Sequence, residues 1–371
     1  MLLLSALVGA GHVQAARAIM EALRAAAPDA QVELVDCMQF VPWWFRACYA
    51  GGFSLGMTRF RGIYGLGFWV FNRPHGAKRC FVERLRLWNE RRAMKRLRAY
   101  LVEHRPDLIV NTHFLAPPVI AHMVRKGRLQ SRQMVVVTDY CMHRWWYSEG
   151  VDRWFAPADF TAQRLRRWGI PEQRITVSGI PIHPKWTAPL DRQKVLADWR
   201  LPAGKRIVVL TGGTEFVCGP VVKIARGILT ACPEAHLVVL AGRNKKLLEE
   251  VSALPEAGTR LSPVAFTDRA QELVGVCSLM VTKAGGITIT ECLAKGTPMV
   301  LLKPVPGQEK GNAKYLAGEG AAVLTRNAAD AVAATARLLG DEQGLAKMAD
   351  DARRLHRPGT PIIVDAILRA L

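Results

Sequence analysis

Four residues near the start of the chain, Gly9-Ala10-Gly11-His12, place a histidine where an apolar run (2–8) gives way to an alanine-rich one. Glycines at such a point let the backbone turn tightly and approach a ligand closely. A helix that opens there leaves N–H groups without intrahelical partners. An imidazole in that position can take a proton from a hydroxyl near neutral pH. The spacing equally fits a histidine that only caps the helix. A dinucleotide fingerprint would need a third glycine where this chain has Gln14, which counts against the nicotinamide dehydrogenase that Asp36 would otherwise suit. Asp139, after the apolar run 135–138, is the second catalytic candidate. It could orient or assist His12, or cap the loop that follows.

Three further turns suit a phosphorylated sugar. Thr211-Gly212-Gly213-Thr214 follows an apolar run and could cradle a phosphate, or could be a plain tight turn. Lys283-Ala284-Gly285-Gly286-Ile287-Thr288-Ile289-Thr290-Glu291 reads as strand, two glycines and a helix whose first N–H groups can hold a diphosphate. Glu291 lies one turn into that helix, where a carboxylate could accept bonds from two ribose hydroxyls or simply complement the helix dipole. Pro306-Gly307-Gln308-Glu309-Lys310-Gly311-Asn312 offers amide and carboxylate groups to sugar hydroxyls, or is an ordinary polar loop.

The elements that must position these residues alternate from the first residue. Strands are expected over 2–8, 32–35, 108–111, 134–138 and 154–156, with a helix over 12–27 stopped by Pro28. After Pro202 a second series begins, with strands over 206–210, 236–241, 279–282 and 299–302 and helices over 222–231 and 287–294. Such alternation implies doubly wound parallel sheets, with ligands at the carboxyl ends of the strands. The fold class is therefore α/β, with two Rossmann-like domains facing a cleft. The expected boundaries are 1–186 for the first domain, 187–202 for a proline-rich linker, 203–345 for the second domain, and 346–371 for terminal helices packing back on the first.

Taken together, GAGH, then TDY-x2-H-x2-W (Thr138, Asp139, Tyr140, His143, Trp146), SGIPIHP (178–184), KAGGITITECLAKGTPMVL and PGQEKGN resemble the monogalactosyldiacylglycerol synthase and processive diacylglycerol glucosyltransferase family. The resemblance runs from Gly9 to about Val323. It implies the two-domain GT-B fold, inversion at the anomeric carbon, and a UDP-glucose or UDP-galactose donor. It matches His12 to the family's essential histidine and Glu291 to its ribose-binding glutamate. Gln308, Glu309 and Asn312 match the donor-sugar loop. Gly212, Gly213, Thr214, Phe266, Gly285, Gly286 and Thr288 complete the donor candidates. Two departures stand out: the organellar transit segment of plant members is not expected here, and Gly285-Gly286-Ile287 replaces their Gly-Pro-Gly-like turn. No Asp-x-Asp triplet occurs, so helix N-termini are expected to neutralise the leaving UDP, with no metal and no cofactor.

The segment 40–105 breaks the rhythm with aromatic residues among Lys and Arg, including Trp43, Trp44, Trp69, Arg91 and Arg92. The chain as a whole carries a net charge of +20. Aromatics beside cations suit a bilayer interface, where each cation near an anionic surface contributes on the order of 1 kcal/mol. The alternatives are core aromatics under a solvated charged face, or single-stranded nucleic acid, for which no recognisable module is present. With Gly11, His143 and Trp146, these residues form the expected acceptor and membrane surface. The eight cysteines show no CxxC spacing and are expected to be reduced. The expected enzyme is a cytoplasmic hexosyltransferase, peripheral on the inner face of the cell membrane. It would move a sugar from a UDP-sugar to diacylglycerol or a glycosyl-diacylglycerol, without nucleic acid as a partner. The alternatives are a UDP-sugar epimerase on the same fold, N-acetylglucosaminyl transfer to another lipid-linked acceptor, and a non-catalytic lipid-surface protein.

Overall fold

The computed structural model describes residues 1–7, 10–49, 81–212 and 220–371. The chain forms two compact units. The first comprises Met1–Pro184, Val305–Gln308 and Arg357–Leu371; the second comprises Lys185–Pro304 and Glu309–His356.

The first unit is built on a six-stranded, all-parallel sheet in the order β2-β1-β3-β4-β5-β6. Its strands are β1 (Leu2–Ser5), β2 (Glu33–Asp36), β3 (Leu108–Asn111), β4 (Arg132–Val136), β5 (Arg153–Ala156) and β6 (Ile175–Val177). The central strands are continuous apolar runs because helices cover both faces. On one face, Ile19 and Leu23 of helix α1 (Ala10–Ala26) meet Ile363 and Ile367 near the C-terminus. On the other, Leu97 and Leu101 pack with Met94, Ile109 and Ile120. Strand order reverses between β1 and β3, so the segments following those two strands diverge and open a crevice at their carboxyl ends.

The second unit repeats the plan with the order β12-β11-β10-β7-β8-β9. Here β7 is Arg206–Thr211, β8 Ala235–Gly242, β9 Leu261–Ala265, β10 Leu279–Thr282, β11 Met299–Leu301 and β12 Ala322–Leu324. The reversal falls between β7 and β10, the two strands that carry the glycine turns at 212 and 285–286.

Several expectations change. The stretch 187–202 is not a bare linker: it contains helix α6, Arg192–Asp198, capped by Asp191, with Val195 and Leu196 buried. Trp199 donates to Glu272 at 2.7 Å, and Arg192 donates to the Val276 carbonyl, so the stretch docks within the second unit. The helix Glu342–Leu355 also belongs to that unit, and beyond it the chain rejoins the first at Arg357. There Gly179 adopts φ +89°, and a Cβ on it would lie 2.6 Å from the Arg357 carbonyl, so only glycine fits that crossing.

The segment 40–105 is mixed in character. Phe45 is buried core. Helix α2 (Phe81–Ala93) and helix α3 (Lys95–His104) close it, and α3 is an ordinary core-packing helix through Leu97 and Leu101. Residues 50–80, with Trp69, lie outside the described residues. Among the described residues no helix is long and apolar enough to cross a membrane. Cys37, Cys232 and Cys292 are buried and free, whereas Cys48 is exposed.

Candidate active site

In the first unit, His12 sits in the first turn of α1, beside the crevice between β1 and β3. Its ring is held from one side only. Nδ1 lies 3.0 Å from the carbonyl oxygen of Thr112, just past the end of β3, and 2.7 Å from the hydroxyl of Thr138, past the end of β4. Thr112 also returns a bond, its hydroxyl donating to the His12 carbonyl at 2.9 Å. A carbonyl can only accept, so Nδ1 carries the proton and Nε2 keeps its lone pair. Burial holds the imidazole down at about 4, with the Thr112 carbonyl bond pulling weakly the other way. At neutral pH His12 is therefore uncharged, with its lone pair on Nε2.

The surrounding rings are more histidine-rich than the sequence reading anticipated. His113 is 3% exposed and meets His12 edge-on, with centroids 4.6 Å apart. Its Nδ1 accepts from the Leu115 backbone N–H at 3.2 Å. Phe114 stacks on His113 at 4.1 Å. His143, buried, meets Phe114 edge-on at 4.6 Å, and burial drives its imidazole down to about 3, with Arg86, His12 and Arg164 pushing the same way. Trp146 is fully buried 6.1 Å from His12. It and His143 therefore cannot touch a membrane surface, because they form the wall behind the catalytic candidate. Among the described residues no group of three or more His, Cys, Asp or Glu could hold a metal ion.

Thr112 and His113 were missed in the sequence, although they follow β3 as His12 follows β1. Asp139 is half-buried next to Thr138. Asp36, the residue that suggested a dinucleotide, accepts instead from the backbone N–H groups of Leu7 and Met38 at 3.1 and 2.9 Å. Gly11 lies in the first turn of α1, whereas Gly9 is outside the described residues.

In the second unit, helix α10 (Gly286–Lys295) starts with Gly285 as its N-cap and no side-chain cap. Other helices here are capped by Asp191, Asn244, Asn327 and Asp341. The uncapped N–H groups at 286–288 are thus left for an anion, and no acidic residue stands in the first turn to oppose one. Glu291 is half-buried one turn on. Burial raises its carboxyl to about 8, against a lowering pull from Lys185. No hydrogen bond to that carboxylate is present among the described residues. Phe266, half exposed after β9, carries the Arg243 guanidinium 4.7 Å over its ring.

The polar loop expected over 306–312 is a helix start: Gly307 (φ 112°) turns the chain, and helix α11 runs Gln308–Gly318. Glu309 approaches Lys283 at 3.8 Å. Asn312 is fully buried and donates to the Ala284 carbonyl at 3.1 Å. It braces the turn ahead of α10, and is too enclosed to contact a sugar itself. Gly212 ends the described part of its turn, and Gly213 and Thr214 lie outside the described residues.

Among the described residues of the aromatic, basic segment, helix α2 carries an exposed apolar stripe. Phe81, Leu85 and Trp88 repeat at helical spacing and are 78%, 51% and 51% exposed. Arg92 lies 4.6 Å over the Trp88 ring. Trp43 and Trp44 are also exposed, and Arg91 is half-buried.

Each unit is a parallel, Rossmann-like sheet with candidate residues where its strand order reverses, and two such units make the GT-B fold. Residues 12–182 match the model of monogalactosyldiacylglycerol synthase, and residues 206–352 that of the glycosyltransferase family 28 C-terminal domain. The two matches together span most of the chain, which is a glycosyltransferase similar to these families. It is 29% identical to a processive diacylglycerol beta-glucosyltransferase of Bacillus cytotoxicus, over 99% of this chain and 92% of that one. Two solved structures share the fold. S. aureus MnaA, solved with UDP, has a TM-score of 0.66 at 14% identity over 100% of this chain and 97% of that one. Acinetobacter baumannii MurG has a TM-score of 0.63 at 17% identity over 99% and 98%.

Proposed function

We propose that the chain transfers glucose, with inversion, from UDP-glucose to the free hydroxyl of diacylglycerol or of a glycosyl-diacylglycerol. The observation that carries this reading is the one-sided clamp on His12, which leaves Nε2 as a neutral base at the end of β1. The hydroxyl proton passes to Nε2, the oxygen forms a bond to the anomeric carbon, and the carbon–oxygen bond to the diphosphate breaks with its electron pair leaving on UDP. N–H groups at the start of α10 neutralise that charge, and Glu291 accepts from the ribose hydroxyls. Glucose is supported by the name of the B. cytotoxicus relative, and diacylglycerol by both that name and the N-terminal family model.

The lipid acceptor is reached from an anionic membrane face, with the enzyme peripheral on the inner side of the cell membrane. Phe81, Leu85 and Trp88 enter the interface while Arg84 and Arg92 meet the headgroups.

The test is product analysis with UDP-glucose and UDP-galactose, each with diacylglycerol in micelles containing anionic lipid. A glucolipid supports the reading. A galactolipid alone reassigns the donor, and UDP release without a glycolipid overturns the acceptor.

A further inference from the structure

The pair His12 and His113 has a donor–acceptor pattern that a single base does not need. Each ring has its Nδ1 fixed by the backbone, but in opposite senses. His12 Nδ1 faces a carbonyl, which can only accept, so its proton is on Nδ1 and Nε2 accepts. His113 Nδ1 faces the Leu115 N–H, which can only donate, so its proton is on Nε2 and Nε2 donates. Neither Nε2 has a hydrogen-bond partner among the described residues. The His113 ring is only 3% exposed, so its surroundings fix where that N–H points.

One acceptor and one donor, on rings 4.6 Å apart and crossed at 83°, are the complement of a hydroxyl group, which gives one bond and takes another. We propose that His113 is a second substrate-touching residue, whose Nε2–H donates to the acceptor hydroxyl oxygen while His12 Nε2 takes that hydroxyl's proton. This rests on the transfer reaction proposed above. The donated bond orients the oxygen's remaining lone pair and steadies the charge that grows as the proton leaves. His113 keeps its own proton throughout, so the balance of the step is unchanged. Phe114, stacked on His113 at 4.1 Å, fixes the ring's plane. Burial and the neighbouring His12 and His143 all disfavour a charged His113, so it serves as a neutral donor.

The pair His113→Gln and His113→Met separates this role from packing. Both side chains have similar length, but only glutamine places an N–H near the position of Nε2. Wild type must first form glycolipid from UDP-sugar and diacylglycerol; if it does not, the transfer reading itself has failed. Given that activity, H113M is expected to lose about 100-fold in kcat, and H113Q to stay within roughly tenfold of wild type on the same scale. Both should bind UDP with unchanged Kd, which also reports that they are folded. Equal activity of the two variants, whether high or low, overturns the proposal. Should H113M not fold, H113N, which keeps the acceptor for Leu115 but not the distal donor, replaces it with the same two outcomes.

Discussion

Nδ1 of His12 lies 3.0 Å from the carbonyl oxygen of Thr112, a residue 100 positions further along the chain. That bond selects the tautomer that leaves Nε2 basic, and it exists because β1 and β3 are neighbours in the sheet. The prediction concerns the base. Replacing His12 by Ala should lower kcat by about 10³-fold, within the range typical of a lost general base, with UDP affinity unchanged. The ring is held at about 4, so it is uncharged at pH 7 and remains so as pH falls to about 5. With UDP-sugar saturating, the acid limb of kcat/KM for the lipid acceptor should therefore fall near pH 4; a limb between 6 and 7 would show an imidazole without this burial.

Thr138 adds the second contact on the same nitrogen, at 2.7 Å. Valine has nearly the same shape without the hydroxyl. T138V should slow transfer by roughly three- to tenfold, the effect of one ordinary hydrogen bond worth about 1 kcal/mol. T138S, which keeps the oxygen, should restore most of the rate. If valine and serine behave alike in steady-state kinetics, the Thr112 carbonyl alone holds the ring.

The sheet interiors were legible because β1, β3, β7, β8 and β10 each hold three or more consecutive apolar residues. The strands that escaped notice, β6, β9 and β12, all lie at sheet edges. Ile175–Val177 is only half-buried along its length, and Leu261–Ala265 contains Pro263. An edge strand is covered on fewer sides and shows a weaker apolar signal. At the site, His12 and Glu291 stood out because each follows a glycine turn. His113 was missed because its partners, His12 and Trp146, lie far away in sequence. Trp146 and Asn312 have residue types suited to ligands, but burial sets their roles, and burial is a property of the folded chain.

Helix α2 offers Phe81, Leu85 and Trp88 on one exposed face, with Arg92 over Trp88. Removing the Arg92 charge should weaken binding to vesicles containing anionic lipid by about fivefold, from about 1 kcal/mol per cation near such a surface. The loss should shrink in high salt as the field is screened. W88A should weaken binding to vesicles at every salt concentration, because its contribution is apolar. Vesicle sedimentation of the two variants checks both. Unchanged binding for the pair would place the contact surface elsewhere.

Glu291 gives the last prediction, on the donor side. Burial raises its carboxyl to about 8, so the empty protein carries it mostly protonated at pH 7. Ribose hydroxyls donate better to the ionised form, so a bound sugar nucleotide favours loss of the proton. A group whose pKa is lowered by binding makes affinity rise with pH up to its value in the free protein, and no further. UDP-glucose has no group of its own titrating between pH 6 and 9. Its affinity should therefore climb from pH 6 to about 8, by at most roughly tenfold per unit, and then level off. E291Q cannot ionise, so it should bind with no such slope and most weakly relative to wild type at pH 8 and above. Isothermal titration across that range, in two buffers of different ionisation enthalpy, would also count the proton released. A flat profile for wild type, or a slope that survives in E291Q, would remove Glu291 from the nucleotide site.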